Sequence, residues 1–173
     1  LSGPIALNFD AAIGADAASE SLYARSKGEG EAAVRAAFPG ATILRPSVVF
    51  GREDGFFNRF AGLVRQLPFT PVVAGATRFQ PVFVGDVADA IMAALQRDDA
   101  QGGTYELGGP RVMSMRDVMA YVQEVTRHRR PMIDMPMGLM RLQARFAEML
   151  PTPPITRDQL ILLGRDNVVG EGM

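Results

Sequence analysis

The chain contains no cysteine and no tryptophan among its 173 residues. Without thiols there is no disulfide framework, no thiolate nucleophile and no cysteine-ligated metal site. A single histidine, His128, excludes a multi-histidine centre and leaves little room for Ser-His-Asp acyl transfer, so no metal site is expected. Neither sign of charge dominates. Eighteen Lys and Arg against 19 Asp and Glu give a formal net charge of −1, which excludes a strongly basic nucleic-acid surface. No uncharged apolar run approaches the roughly 18–20 residues of a bilayer span, and no basic-then-apolar leader opens the chain. Lysine is the scarcest charge of all: Lys27 stands alone beside 17 arginines. Arginine cannot replace lysine where a compact ammonium is required, so position 27 calls for a reason.

What is present is a 47% hydrophobic chain long enough to bury a sizeable core. No repeat, low-complexity tract or linker divides it, and residues 1–173 read as a single unit. Residues 4–9 are a short apolar run with the character of a buried strand. From Ser21 the residues Leu22, Tyr23, Ser26, Lys27, Ala33, Val34 and Ala37 recur at three- and four-residue spacing, which predicts a helix stopped by Pro39-Gly40. Residues 41–50 are rich in β-branched side chains without alternation and predict one strand buried on both faces. Helix, tight turn and buried strand together indicate a parallel α/β sheet.

Downstream, residues 54–66 read as a helix with Phe56, Phe57, Phe60, Leu63 and Val64 inward. Short strands are expected at 69–74 and 80–84, and a helix capped by Asp86 runs to Gln96 with Val87, Ala90, Ile91, Ala94 and Leu95 on one face. Residues 104–107 form a strand closed by Gly108-Gly109-Pro110. Ser114 and Asp117 open a helix to Thr126 as a capping box, and Thr156 and Gln159 open the last helix in the same way. Between them lie a short strand at 131–135 and a Met-rich helix at 137–150. Asp98-Asp99 and Glu53-Asp54 read as solvated turns. Arg127-His128-Arg129-Arg130 reads as cations complementing a helix C-terminus, with an anion or acidic-lipid contact as the alternative.

Tyr23-Ala-Arg-Ser-Lys27 is the sharpest chemical signal. Residues four apart share one helix face, so phenol and ammonium can point into the same cleft. A nearby cation favours the phenolate and brings tyrosine towards working pH, which suits proton exchange with a carbonyl or alcohol. The ammonium can also hydrogen-bond the ribose hydroxyls of a dinucleotide. The competing reading of the pair is a partly exposed helix face.

The blocks YARSKGEGE (23–31), ILRPSVVFG (43–51), FQPVFVGDVADAI (79–91) and YELGGPR (105–111) resemble, in order, the second half of an extended or atypical short-chain dehydrogenase/reductase of the epimerase/dehydratase type. With RPSVVFGREDGFFNRFA and TRDQLILLGRDNVV added, the resemblance narrows to the NAD(P)-binding Rossmann-type accessory subunits of respiratory complex I and their alphaproteobacterial relatives. It implies an α/β fold: the distal half of a Rossmann-type parallel sheet plus a small α/β substrate-side lobe. It further implies Tyr23 and Lys27 as the family's catalytic pair, and NADP or NAD as the cofactor. Contacts to that cofactor are implied for Ala11, Tyr23, Lys27 and the Pro46-Ser47-Val48 loop. Asp86 matches the start of the helix lining the substrate side. The alternative accounts of Pro46 and Asp86 are a strand terminator and an N-cap.

Two departures qualify the implied activity. Ala11 stands where extended reductases carry the Ser or Thr that holds a substrate carbonyl, a donor often worth ~10²–10³ in rate. Ser19 or Ser21 could substitute only if the loop folds back. No glycine-rich phosphate loop lies between a strand and a helix anywhere in the chain. The resemblance therefore implies a fragment lacking its N-terminal strands, weak in cofactor binding by itself and prone to self-association through an exposed strand edge. The expected function is a non-catalytic accessory or assembly subunit of NADH:ubiquinone oxidoreductase, cytoplasmic or peripheral at the inner membrane, with other complex I subunits as partners. The alternative is an active nucleotide-sugar epimerase/dehydratase or carbonyl reductase using Tyr23 as acid/base.

Overall fold

A computed structural model describes residues 8–148 and 156–170. In chain order the elements are β1 (Asn8–Asp10), α1 (Leu22–Ala37), β2 (Thr42–Pro46), β3 (Val49–Phe50), α2 (Phe57–Gln66), β4 (Thr70–Val73), β5 (Arg78–Phe79), β6 (Val82–Phe83) and α3 (Val84–Gln96). They continue with β7 (Thr104–Leu107), β8 (Met113–Ser114), α4 (Met115–Thr126), β9 (Met132–Met135), α5 (Met137–Ala147) and α6 (Arg157–Leu163). Residues 4–7 of the expected first strand and 149–150 of the expected Met-rich helix lie outside the described residues. The described backbone groups into two compact units, one of 8–51, 80–111 and 168–170, the other of 52–79, 112–148 and 156–167. Neither is a contiguous stretch, so no single linker could mark the division in the sequence.

The first unit is the expected parallel α/β layer. Its sheet runs β1-β2-β7, with Phe9 beside Ile43 and Leu44 beside Tyr105, all strands parallel. Along β2, Ile43 joins Ala11, Ala41 and Val34 of α1 in one apolar cluster. Alternation puts Arg45 on that same face and Thr42 and Leu44 on the other. Thr42 Oγ1 donates to Ala100 O just beyond α3 at 2.9 Å, and α3 packs on β1 and β2. The sheet is thus covered by α1 on one side and α3 on the other, and Thr42, Ile43 and Leu44 are all buried.

Residues 41–50 are not one strand. Ser47 N–H still donates to Leu107 O at 2.8 Å, but Val48 O accepts from Val82 N–H at 3.0 Å, and β3 then pairs in parallel with β6 instead. The chain changes partner at Ser47-Val48, and β3 is only partly covered. The helix expected from Asp86 begins two residues earlier, at Val84, with Phe83 in the N-cap position. Asp86 lies in its first turn, where a carboxylate complements the positive helix end. Val87 and Ala94 are buried as expected, whereas Leu95 is exposed.

In the second unit β4 and β9 pair in parallel from Thr70–Met132 to Val73–Met135, and β5 and β8 pair antiparallel. α2 packs on α4, and Val64, Val72, Met115, Val118, Met119 and Val122 are buried. α2 starts at Phe57 because the Asp54 carboxylate accepts from the N–H groups of Phe56 at 3.0 Å and Phe57 at 2.5 Å. Both expected capping boxes are formed, Ser114 with Asp117 and Thr156 with Gln159. Buried Gln123 is fully satisfied, donating to Thr70 Oγ1 at 2.8 Å and Arg130 O at 2.9 Å and accepting from Arg130 N–H. No helix among the described residues is long and apolar enough to cross a membrane.

Candidate functional site

α1 is locked onto the sheet by an ionic ladder that fixes its height. Near its C-terminus Arg35 hydrogen-bonds Thr104 Oγ1 at the start of β7. One turn earlier, buried Glu31 accepts two hydrogen bonds from Arg45 at 2.8 and 3.1 Å, and Arg45 is 4.0 Å from Glu106. α1 therefore runs antiparallel to the strands. Four helical residues rise about 6 Å, nearly the ~6.6 Å of two strand residues, so the ladder repeats in step. Continued by one turn, Lys27 comes level with the carboxyl ends of β2 and β7, at Ser47 and Gly108. Projected one turn further along the same axis, Tyr23 falls on the carboxyl-end side of the sheet, the side on which parallel α/β sheets place their ligands.

Tyr23 and Lys27 share a face as the spacing predicts. The Lys27 ammonium lies 5.9 Å from the Tyr23 ring centroid, and Tyr23 is 47% exposed. The helix start is held from two directions. Ser21 caps it by accepting from Ala24 N–H at 3.3 Å, and Ser19 Oγ accepts from Ser21 N–H at 3.2 Å. Both serines are buried. The loop before them folds onto α1: Asp16 N–H donates to Ala24 O at 3.0 Å, and Gly28 lies so close to the Asp16-Ala17 backbone that a Cβ would come within 2.6 Å of Asp16 C. This loop also reaches β2, since Ile13 N–H donates to Pro46 O at 3.1 Å.

Ala11 follows the carboxyl end of β1 and donates its N–H to Leu44 O at 2.7 Å. Its methyl group belongs to the apolar cluster with Ala41, Ile43 and Val34. The Pro46-Ser47-Val48 segment lies at the same end of the sheet, with buried Ser47 accepting from Gln80 N–H at 3.3 Å. Sequence reasoning did not single out Gln80. Its side-chain amide donates to Gly109 O at 2.8 Å and accepts from Val169 N–H at 3.1 Å, so it ties together segments far apart in the chain.

Asp99 is held below the usual carboxylate range by hydrogen bonds from Arg97, whose own value is raised by the same contact. Both are largely exposed, as a solvated turn should be. Arg127 closes α4 in the left-handed conformation at φ 57°, and His128 Nδ1 lies 2.6 Å from Thr126 O.

The family described as RmlD substrate binding domain matches residues 14–153. The chain belongs to that family. An RmlD-type chain of this kind is also similar to the protein named NADH dehydrogenase (ubiquinone) 1 alpha subcomplex subunit 9, mitochondrial, of Arabidopsis thaliana. The two are 35% identical over 170 residues, 92% of this chain and 42% of that protein. The Mus musculus protein of the same name is 40% identical over 115 residues, 66% of this chain and 30% of its own length. The chain thus spans less than half of the curated relatives it matches. Among solved structures, the UDP-glucuronic acid 4-epimerase of Bacillus cereus superposes with a TM-score of 0.60 at 16% identity, over 74% of this chain and 48% of that one. That likeness concerns the fold, and it agrees with the expected Rossmann-like arrangement.

Proposed function

We propose that this RmlD-type chain serves in an NAD(P)-binding accessory subunit of an NADH:ubiquinone oxidoreductase, holding the nucleotide without turning it over. The observation that carries this reading is the 35% identity to the alpha subcomplex subunit 9 of Arabidopsis thaliana, sustained over 92% of the chain. The donor set fits one end of such a cofactor. An ammonium and a phenol stand 5.9 Å apart at the carboxyl ends of parallel strands, where Lys27 would bond ribose hydroxyls and Ser47-Val48 would border the nicotinamide. When bound, the nicotinamide group can supply hydride chemistry. The Ala11 methyl offers no donor to a substrate carbonyl, and the Ser21 hydroxyl is fully buried at the start of α1, where it caps Ala24 N–H. Both features favour retention of the nucleotide over its use. The subunit would sit peripherally at the energy-transducing membrane with other subunits of the complex as partners. An affinity-tagged copy expressed in its native cell should co-migrate with NADH:ubiquinone oxidoreductase activity in native gels. A copy found only among unassembled proteins would refute the assignment.

A second reading is favoured by the half-exposed phenol beside Lys27: a reductase or epimerase/dehydratase in which Tyr23 exchanges a proton with a carbonyl oxygen. Steady NAD(P)H consumption with a keto-sugar nucleotide, abolished in Tyr23→Phe, would establish that reading in place of the first.

A further inference from the structure

Gly108 and Gly109 end β7 without positive φ; among the described glycines only Gly14 and Gly102 have it. Their lack of a side chain answers to close approach instead. A Cβ on Gly108 would lie 2.5 Å from Gln80 Cδ and 2.6 Å from Val169 Cγ2, and one on Gly109 would collide with Pro81 O. The turn after β7 is thus shaped to let residues 80–81 and 169 press against it.

Gln80 uses both backbone and side-chain groups there. Its N–H donates to Ser47 Oγ at 3.3 Å, and its C=O accepts from Gly109 N–H at 3.2 Å. Its Nε2 donates to Gly109 O at 2.8 Å, and its Oε1 accepts from Val169 N–H at 3.1 Å. One residue later, Gly170 N–H donates to Glu106 Oε2 at 2.8 Å, and Glu106 neighbours Arg45 of the α1 ladder. Ser47 is buried, with its N–H donating to Leu107 O of β7 and its Oγ accepting from the Gln80 N–H. Gln80 and Val168 are also the residues at which the chain re-enters this unit. Two distant returns of the backbone therefore meet on one side-chain amide, directly beside the 46–48 loop.

We propose that Gln80 is a positioning residue: its amide latches the 168–170 segment to the Gly108-Gly109 turn and thereby fixes the 46–48 loop at the carboxyl ends of β2 and β7. That this loop borders a nicotinamide rests on the function proposed above; the latch itself does not. An amide is the group the site selects, because one donor and one acceptor are needed from a single short side chain. Gln80→Met removes both. Gln80→Glu keeps an acceptor for Val169 but sets a carboxylate oxygen against Gly109 O.

Residue-resolved amide hydrogen exchange on the whole chain tests the latch. Gln80→Met should speed exchange about five- to tenfold at Val169, Gly109 and Gln80's own amide, while Ile43 and Leu44 in the sheet centre stay protected. Gln80→Glu should leave Val169 protected and loosen Gly109 alone. Unchanged exchange in Gln80→Met, or equal acceleration throughout the sheet, would overturn the proposal. Reduced nicotinamide mononucleotide, titrated against the same proteins, separates the two ideas. It should shift the amides of Ser47 and Val48, with affinity at least fivefold weaker in Gln80→Met. A loosened latch with no response to the nucleotide would refute the nicotinamide reading and leave the latch standing.

Discussion

Arg45 on β2 grips the buried carboxylate of Glu31 on α1 with two hydrogen bonds, and this part-buried pair ties down the helix that carries Tyr23 and Lys27. A fork-shaped guanidinium is suited to that geometry, and lysine could supply only a point charge. Removing the guanidinium costs the largely buried Glu31 carboxylate both of these hydrogen bonds and leaves it with Arg35, 3.6 Å away, so Arg45→Met should cost roughly 1–3 kcal/mol in urea denaturation. Arg97→Met, which removes the largely exposed partner of Asp99, should show no measurable loss. Equal effects from the two substitutions would show that the α1 ladder contributes no more than a surface ion pair.

Two helical glycines should respond in opposite directions to alanine. Gly62 in α2 has nothing within 4 Å of a Cβ, so Gly62→Ala should stabilise by about 0.5–1 kcal/mol through helix propensity. Gly28 in α1 faces the Asp16-Ala17 backbone, which cannot yield as a side-chain tip could. Gly28→Ala should lower the melting temperature and shift the amide resonances of the 16–19 loop. A rise in melting temperature for Gly28→Ala would contradict the close contact between that loop and α1.

The Ser114 capping box makes a pH-dependent contribution. Ser114 Oγ–H and N–H both donate to Asp117, which holds that carboxyl below its usual range. A folded-state value below the unfolded one means the contribution is complete above the ordinary carboxylate pKa and disappears as pH falls through the lowered folded value. Ser114→Ala should cost about 1 kcal/mol near neutral pH. It should also flatten the loss of stability as pH falls below the ordinary carboxylate range of about 4 in thermal melts. An unchanged acid limb in Ser114→Ala would assign the lowered Asp117 value to something other than this cap.

Local signals in the sequence carried well into the structure. The capping boxes depend on residues three apart, and the Tyr23-Lys27 pair on residues four apart, so neighbouring positions suffice to specify them. The break in residues 41–50 is different in kind. Nothing within PSVVF marks it, because it arises when Ser47 and Val48 bond partners 60 and 34 residues away, at Leu107 and Val82. Asp86 misled for a related reason: it is an eligible cap, but β6 delivers the chain into helix at Val84 before Asp86 is reached. Gln80 left no local pattern at all. The available clue was the pair Gly108-Gly109, which read as a strand terminator until the ordinary φ of both residues and the crowding around them gave another cause.

Ala11 offers the most direct test of retention against turnover. It follows β1 directly, at the position for which the resemblance to extended reductases implies a hydroxyl, yet its methyl group packs with Ala41, Ile43 and Val34 and is 3% exposed. A serine there would place an oxygen among apolar side chains, at a cost of about 1–3 kcal/mol unless it finds a partner. Ala11→Ser should therefore unfold at lower urea concentration and still consume no NADPH with ketones or keto-sugar nucleotides. Adding Tyr23→Phe should change neither result. The contrary outcome is specific: Ala11→Ser gains carbonyl reduction, and Tyr23→Phe removes it. That would mean the new hydroxyl turns towards the phenol and that one missing donor had been all that separated this chain from a working reductase.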